Sequence, residues 1–502
     1  MMISTKYGKL WGRPGKRIIP LSKIRPRWAA YTRNQEAVAA AIARKEYADL
    51  TPTGVGVVDE FFALMDQVGI LSRLAVEGAY QRRMVPMVLM MTTYCAKVIL
   101  GLSSQNQLPT HLFSDAGLLR RIGYTAKQVE EGYCQRGKGL ARPIHKNTVA
   151  DALERLTEKE SQSIFDGSVR DLVKAKLAED NVFSLDGSEL HTTEHYPEAG
   201  RVISTREVKD KWGRVRTVTS SRHGYLLLSL RGVKSNTVAA ARVEKVGTSE
   251  YPNAIVLVRA AKAAGAKVRV LLIDGAYCVG GALWQLKHEE KVDFIVPADS
   301  SMCVTRDARG LALLKEGAIV ENDSEIRAVG VKGLTSYDAY QPPQSQERRG
   351  PKATLNGVIV TRWKNKDVPL EEQKVLLTSL AVEHPLRIVE FYRKRAEMEN
   401  KLHREIKQGW HIQSFPSKQH LACLAHIYLT LTLYNVACAY KTEHGQELAD
   451  RGIRRLRAQH LGGAAWVLVV YTETEYGIFD VEEFAHLSGN PPKRFHRFRP
   501  QT

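Results

Sequence analysis

The sequence has few cysteines, and their positions do not indicate a zinc site or a disulfide framework. The six cysteines are far apart, with no CxxC pair and no histidines at zinc-finger spacing. We therefore expect reduced, mostly buried thiols in a cytosolic protein. The first residues carry positive charge, but no apolar segment follows them, and this argues against a secretory signal.

The sequence also has no long hydrophobic run that is free of polar residues, and no internal repeat. Residues 84–102 and 421–440 approach the ~20 residues that a bilayer crossing needs. Polar side chains interrupt both runs, Lys97 in the first and His426 in the second. Since such residues are costly inside a membrane, we expect two buried core helices and no membrane partner.

Acidic residues are scarce relative to basic ones. The chain has 73 Lys plus Arg against 54 Asp plus Glu, which gives a formal charge of +19 and a pI near 9.5. This balance favours a polyanionic partner such as DNA, although a basic protein with no nucleic-acid role would show the same balance. A hydrophobic content of 44% is ordinary for a globular protein. At roughly 100–200 residues per domain, we expect two to four domains.

Changes in local pattern along the chain indicate several regions. Apolar residues recur at helical spacing over 55–180, whereas short apolar runs bounded by Gly and Asp begin at 181. The basic N-terminus is either a DNA-binding arm or a solvated tail. We predict an α/β protein with these parts: a basic arm (1–50), a helical DNA-binding region (51–180), a catalytic core (181–299 and 381–440), a β-rich insertion (300–380) and a basic C-terminal region (441–502).

Two of the apolar runs end in Asp-Gly, at Asp186 and at Asp274. A single Asp-Gly after a strand is an ordinary turn signal. Because both follow apolar strands of one α/β region, we expect both strands to end at the carboxyl edge of one sheet, with the two carboxylates converging there. A pair of this kind needs a third ligand to hold a metal ion.

A third carboxylate comes from the segment 388–407. On a helix that advances ~100° per residue, Tyr392, Arg395 and Glu399 lie on one stripe. Two Asp and one Glu suit hard divalent cations, Mg²⁺ or Mn²⁺. Two such ions ~3.5 to 4 Å apart would support an in-line displacement at a phosphodiester. The alternative is a solvated helix face with an Arg395–Glu399 ion pair.

The order of these motifs resembles the bacterial insertion-sequence DDE transposases whose third catalytic block is the Tyr-Arg-Glu-Lys signature. The motifs are DGS at 186, DGAY at 274, LLTS at 376–379 and YxxRxxxE at 392–399, and the resemblance covers about 180–440. It implies a ribonuclease H-like catalytic core, interrupted by a β-strand insertion, that performs cut-and-paste transposition. It also implies that Asp186, Asp274 and Glu399 hold two metal ions, and that Tyr392 and Arg395 hold phosphates.

The chain departs from this family at the lysine of the signature. The family places it seven residues after the Glu, but that position is Ile406 here, and Lys407 comes one residue later. Either a local π-bulge restores Lys407, or His403 or Arg404 serves in its place. The resemblance also implies that Trp363 stacks a base flipped from the DNA end, although a Trp in a β-run is more often a core residue.

From these features we expect a transposase that binds the terminal inverted repeats of its element and cuts and transfers DNA strands. It would act as a homodimer on double-stranded end and target DNA, in the cytoplasm and on the nucleoid. Two alternatives stay open. One is a ribonuclease H-like nuclease without strand transfer, and the other is a non-catalytic DNA-binding protein derived from a transposase.

Overall fold

A computed structural model describes twelve stretches of the chain. The chain divides into two compact units. The first unit comprises Met1–Ser168 with Gln408–Thr502, and the second unit comprises Val169–Lys407. The chain's two ends thus belong to one unit. The predicted insertion and the predicted core as far as Lys407 belong to the other, whereas residues 408–440 of the predicted core fall in the first unit. The described residues are 32–53, 56–75, 85–124, 128–129, 144–209, 215–314, 318–343, 353–362, 373–444, 452–461, 467–473 and 475–489.

Helices are concentrated before residue 175 and after residue 384. In chain order they are α1 (Gln35–Arg44), α2 (Gly56–Gln67), α3 (Ile70–Arg73), α4 (Met87–Leu100), α5 (Leu108–His111), α6 (Ala116–Arg121), α7 (Lys146–Leu153), α8 (Glu158–Lys174), α9 (Asn253–Ala263), α10 (Gly280–His288), α11 (Cys303–Leu314), α12 (Pro385–Arg393), α13 (Arg404–Gln408), α14 (His420–His444), α15 (Ile453–Leu461) and α16 (Val481–Leu487).

Strands occupy the middle of the chain and both of its ends. In chain order they are β1 (Thr32–Arg33), β2 (Asp49–Thr53), β3 (Val182–Thr192), β4 (Gly200–Lys209), β5 (Val215–Gly232), β6 (Val238–Lys245), β7 (Val270–Leu272), β8 (Asp293–Ala298), β9 (Ile319–Asn322), β10 (Ile326–Leu334), β11 (Leu355–Arg362), β12 (Lys374–Thr378), β13 (Val467–Tyr471) and β14 (Glu475–Asp480).

The second unit is built on one mixed sheet, which confirms the predicted α/β class. Among the described residues its strand order is β4-β5-β3-β7-β8-β12-β11-β10-β9, with β6 paired to β5. β3 is antiparallel to β5 and parallel to β7, and β7 is parallel to β8. The predicted β-rich insertion begins with a helix, α11, that its composition did not indicate. Its strands continue the core sheet, because β12 pairs with β8 and so covers that edge.

The two faces of β3 differ in chemistry. Leu185 lies opposite Leu230 of β5, and both belong to the apolar core of the second unit. Because successive side chains alternate between faces, Ser184 and Asp186 point to the opposite face from Leu185. This alternation places the carboxylate of Asp186 outside the apolar core.

The expectation that Asp186 ends its strand is wrong. β3 continues to Thr192, because the 18-residue strand β5 pairs with it from Phe183 through Thr192. The parallel partner β7 is much shorter, and its last paired residue, Leu272, lies opposite Ser184. Asp186 therefore stands just beyond the end of its parallel neighbour. The expectation for Asp274 is confirmed, since it follows β7 and precedes the turn Gly275–Tyr277.

The first unit contains the long apolar segment that was predicted to be a core helix. The helix α14 is long and apolar enough to cross a membrane by length and composition, but 94% of its apolar window is buried within the protein. The Nδ1 of His426 lies 2.7 Å from the hydroxyl of Tyr94 in α4. Burial lowers the pKa of His426 to about 3. Both predicted core helices are thus present and share a polar contact.

The described part of the predicted basic arm is regular structure rather than a tail. Residues 32–50 contain β1, α1 and the start of β2, while residues 1–31 lie outside the described residues. β1 and β2 pair with the C-terminal strands in a sheet of order β1-β14-β13-β2. Val38 and Ile42 of α1 pack in one cluster with Phe479. Burial of this amphipathic face explains why a basic segment folds here.

The cysteines match the prediction in part. Cys95, Cys423 and Cys438 are buried thiols that take part in no disulfide among the described residues. Cys278 is half-buried and Cys303 is exposed, so the described thiols are mostly but not all buried, as expected. Cys134 lies outside the described residues.

Candidate active site

The segment that carries the third acidic motif is not one regular helix. α12 ends at Arg393, a 3₁₀ turn follows at Lys394–Ala396, and a π-helical turn occupies Met398–His403 before α13 begins. The prediction of a uniform ~100° advance per residue is therefore wrong for this segment. The π-helical alternative, which was one of the two explanations for the displaced lysine, is present.

Three buried apolar side chains line one face of this irregular segment. Met398, Leu402 and Ile406 recur every four residues, and all are fully buried. Ile406 occupies the position at which the resembling family has its lysine, so burial of this face takes precedence there over a charged side chain. Lys407 is half-buried. π-helical turns of this kind are frequent at functional sites.

The structure brings Asp186, Asp274 and Arg395 together. The Nη2 of Arg395 lies 3.4 Å from Oδ2 of Asp186 and 3.3 Å from Oδ1 of Asp274. The backbone N–H of Gly187 donates to Oδ1 of Asp186 at 3.0 Å. The Nε of Arg395 is buried and has no hydrogen-bond partner among the described residues. One guanidinium thus joins the two carboxylates and keeps an unused donor.

Burial and the neighbouring charges in this cluster disfavour the ionised form of Asp186. Burial raises the pKa of its carboxyl to about 6, while Arg395 and the Gly187 N–H lower it and the charges of Glu250 and Asp274 raise it. A single arginine therefore does not compensate for burial together with the neighbouring negative charges. A divalent cation would supply the missing positive charge, so the donor chemistry of Asp186 and Asp274 fits a hard metal ion.

Glu250 lies at this cluster and was not predicted from the sequence. Its Oε2 accepts a hydrogen bond of 2.8 Å from the hydroxyl of Tyr277, which belongs to the DGAY motif. A Cβ at position 187 would lie 2.7 Å from the Glu250 carboxylate, so the glycine leaves room for this side chain. The Tyr in DGAY could have suggested a partner, but nothing in the sequence identified Glu250 as that partner.

The third predicted ligand stands apart from the two aspartates. The side chain of Glu399 is 71% exposed, and its Oε2 lies 3.1 Å from Nδ1 of the buried His403. Burial lowers the pKa of His403, which favours its neutral form at this contact. Within the described ranges, no group of three His, Cys, Asp or Glu side chains lies close enough to hold a metal ion. Glu399 is therefore not assembled with Asp186 and Asp274 in this structure.

The remaining predicted residues differ in their surroundings. Tyr392 is half-buried, burial raises its pKa to about 12, and the Nζ of Lys374 lies 4.8 Å from its ring centroid. Arg404 is exposed at the start of α13. Trp363 lies outside the described residues, so its predicted stacking role stays a prediction.

Comparisons with known proteins address the family. Residues 177–436 match the sequence model of the Transposase DDE domain family. A cryo-EM structure of a piggyBac transposase synaptic complex with hairpin DNA matches at 9% identity with a TM-score of 0.37, covering 92% of this chain and 83% of that chain. No curated protein matches the chain. Because the family match spans more than half of the chain and contains both aspartates and the third acidic motif, this chain belongs to the DDE transposase domain family.

Proposed function

We propose that this transposase binds the terminal inverted repeats of its own element, cleaves DNA strands there and transfers them to target DNA. One observation carries the catalytic assignment: Arg395 contacts Asp186 and Asp274 at once, so the residues of three separate motifs converge. The mixed sheet, with β3 antiparallel to β5 and parallel to β7, supports a ribonuclease H-like core. Origin in a bacterial insertion sequence and the Tyr-Arg-Glu-Lys identity of the third block belong to the same proposal.

Asp186, Asp274 and Glu399 would hold Mg²⁺ or Mn²⁺, two ions per site. Bound there, the ions would activate the attacking water or 3′-hydroxyl and stabilise the leaving oxygen. The chain's own contribution comes from Arg395. Its guanidinium now faces the two aspartates, and once cations take its place there it could donate to a phosphate oxygen in a charge-assisted hydrogen bond.

Binding to DNA should depend mainly on phosphate contacts, given a formal charge of +19. Tyr392 and Lys407 lie in the same segment as Arg395 and are half-buried, so each retains an accessible part. His403 is a weaker candidate for a phosphate contact than Lys407, because it is fully buried and engaged with Glu399. A homodimer would bring the two element ends together, and Trp363 would stack a flipped base.

The test is a cleavage assay on labelled element ends with Mg²⁺ or Mn²⁺. Asp186→Asn, Asp274→Asn and Glu399→Gln should each abolish cleavage while DNA affinity in a gel-shift assay stays near that of the unmodified chain. The matched control is Glu383→Gln, because Glu383 is exposed and pairs only with the exposed Lys332 in the described contacts. Cleavage near the unmodified rate in any of the three site variants would refute the assignment of that residue.

A second candidate function is favoured by the exposed position of Glu399 and by the Arg395 bridge across the aspartates. A chain locked in this arrangement would bind DNA without cutting it. Absence of cleavage under Mn²⁺, together with salt-dependent DNA binding, would support this non-catalytic function. Cleavage without joining of a free 3′-hydroxyl end to target DNA would instead identify a nuclease that lacks strand transfer.

A further inference from the structure

Arg231 of β5 is fully buried, yet its guanidinium is only partly used. Its Nη2 donates to Oδ1 of Asn236, a residue in the left-handed backbone conformation with φ 62°. Its Nε and Nη1 have no hydrogen-bond partner among the described residues. Two donor atoms of a buried cation are thus unsatisfied.

Burying a charged group without full pairing destabilises a fold, so packing does not explain this side chain. The charge of Arg231 acts on the half-buried carboxylate of Asp180, whose pKa it lowers against the larger effect of burial. The carboxylate of Glu397 is also near, with its Oε2 4.0 Å from Nη2. This distance is too long for a hydrogen bond. Glu397 is half-exposed, and the same Oε2 lies 3.0 Å from the Nζ of Lys401. The Arg231–Glu397 pair is therefore close to contact but not closed.

The position of Arg231 relates it to the proposed site. In the β3–β5 register, Ser184 lies opposite Arg231 and Asp186 lies opposite Ser229. Directly opposed residues of an antiparallel pair share a face, so all four belong to the face of Asp186. The π-helical turn Met398–His403, which carries Glu399, packs against β3. Arg231 thus belongs to the sheet face that faces the segment with the third acidic ligand.

We propose that Arg231 is a positioning residue for Glu399. Its incompletely paired guanidinium can take the carboxylate of Glu397, two residues before Glu399, which already lies near Nη2. Closing this ion pair draws the π-helical turn toward the sheet and turns Glu399 toward Asp186 and Asp274. In this structure Glu399 is exposed, and the Arg231–Glu397 ion pair is not closed, with 4.0 Å between Nη2 and Oε2. The inference rests on the proposed function, because it needs Glu399 to be a metal ligand.

The experiment measures Mn²⁺ binding to the full-length chain by titration calorimetry without DNA, alongside thermal unfolding in chelator. Arg231→Met should lower Mn²⁺ affinity about tenfold, the usual effect of losing a residue that orients a ligand. Its Tm should stay equal or rise, because an apolar side chain of similar length replaces a buried, partly unsatisfied charge. A purely structural arginine would instead lower Tm and affinity together, and that result would overturn the proposal.

Glu397→Gln tests the other half of the pair and places no charge change in the core. It should also lower Mn²⁺ affinity about tenfold, and the double variant should bind no more weakly than either single variant, because both act through one contact. Cleavage assays should show a lower kcat with an unchanged KM for DNA. If Arg231→Met does not fold, the Mn²⁺ affinity of Glu397→Gln tests the proposal by itself.

Two further variants separate the possible failures. Glu390→Gln removes an exposed carboxylate from α12 in the same segment and should leave Mn²⁺ affinity unchanged. Asp186→Asn should abolish Mn²⁺ binding. Loss of binding in Asp186→Asn with normal binding in Arg231→Met and Glu397→Gln would overturn this inference alone. Normal binding in Asp186→Asn would overturn the proposed metal site, and this inference with it.

Discussion

Buried arginines of the two units are paired differently, and Arg121 of the first unit and Arg231 of the second unit show the contrast. In the first unit Arg121 forms an ion pair with Asp59, both nearly fully buried, and its guanidinium lies 4.5 Å from the ring centroid of Tyr476. In the second unit Arg231 leaves two donor atoms without partners among the described residues, with Glu397 at 4.0 Å. A closed ion pair between buried side chains stabilises the packed core. An ion pair that is not closed identifies a region in which the most stable arrangement is not reached.

The largest expected effect concerns the closed pair. Arg121→Met should lower the free energy of unfolding by about 3–5 kcal/mol, because it leaves the Asp59 carboxylate buried without its counter-charge. Urea unfolding followed by circular dichroism measures this loss. The double variant Arg121→Met with Asp59→Leu should recover most of it, since both charges are then absent. A loss below about 1 kcal/mol in Arg121→Met would show that the pair does not stabilise the fold.

The acidic cluster should respond in the opposite direction. Asp186→Asn should raise the free energy of unfolding by about 3 kcal/mol at pH 7 in chelator, since the pKa of Asp186 is raised from 3.8 to about 6 and each pKa unit corresponds to about 1.4 kcal/mol. Because the folded state keeps the proton longer than the unfolded state, the unmodified chain loses stability as the pH rises from 4 to 6. The variant should not show this loss.

Thermal unfolding at pH 4 and at pH 7 separates these expectations. The two chains should have similar stability at pH 4 and differ most at pH 7. Adding Mn²⁺ at pH 7 should stabilise the unmodified chain and leave Asp186→Asn unchanged, because only the former has the full ligand set. Equal stability of the two chains at both pH values would contradict the raised pKa.

A smaller effect is expected for the arginine of the site. Arg395→Met removes the positive charge that Asp186 and Asp274 share, and should lower the free energy of unfolding by about 1 kcal/mol at pH 7, because both contacts exceed 3.2 Å and are partly exposed. The loss should shrink at pH 4, where Asp186 is largely protonated. A loss as large as that of Arg121→Met would show that the two arginines serve the same role.

The smallest effect is expected for Glu397→Gln, which should change the free energy of unfolding by less than about 0.5 kcal/mol. Its carboxylate is half-exposed and does not form a hydrogen bond with Arg231. The matched substitution in the closed pair, Asp59→Asn, should cost several times more in the same urea experiment. Similar losses in the two variants would remove the difference between the open and the closed pair.

The amino-acid sequence by itself determined the strands around Asp186 and Asp274 and the buried helix α14. These features follow from local patterns: apolar alternation, helical spacing and the acid at the end of a strand, each of which depends on nearby residues. The charge balance likewise needed no structure to indicate a polyanionic partner.

Only the tertiary structure decided where β3 ends, how Glu399 is turned and which side chains surround Asp186. β3 runs on because its partner β5 is long, and the π-helical turn forms where Met398, Leu402 and Ile406 are buried together. Glu250 and Arg231 meet Tyr277 and Glu397, partners that are distant along the chain. Such contacts depend on which surfaces pack together, and local periodicity contains no information about that packing.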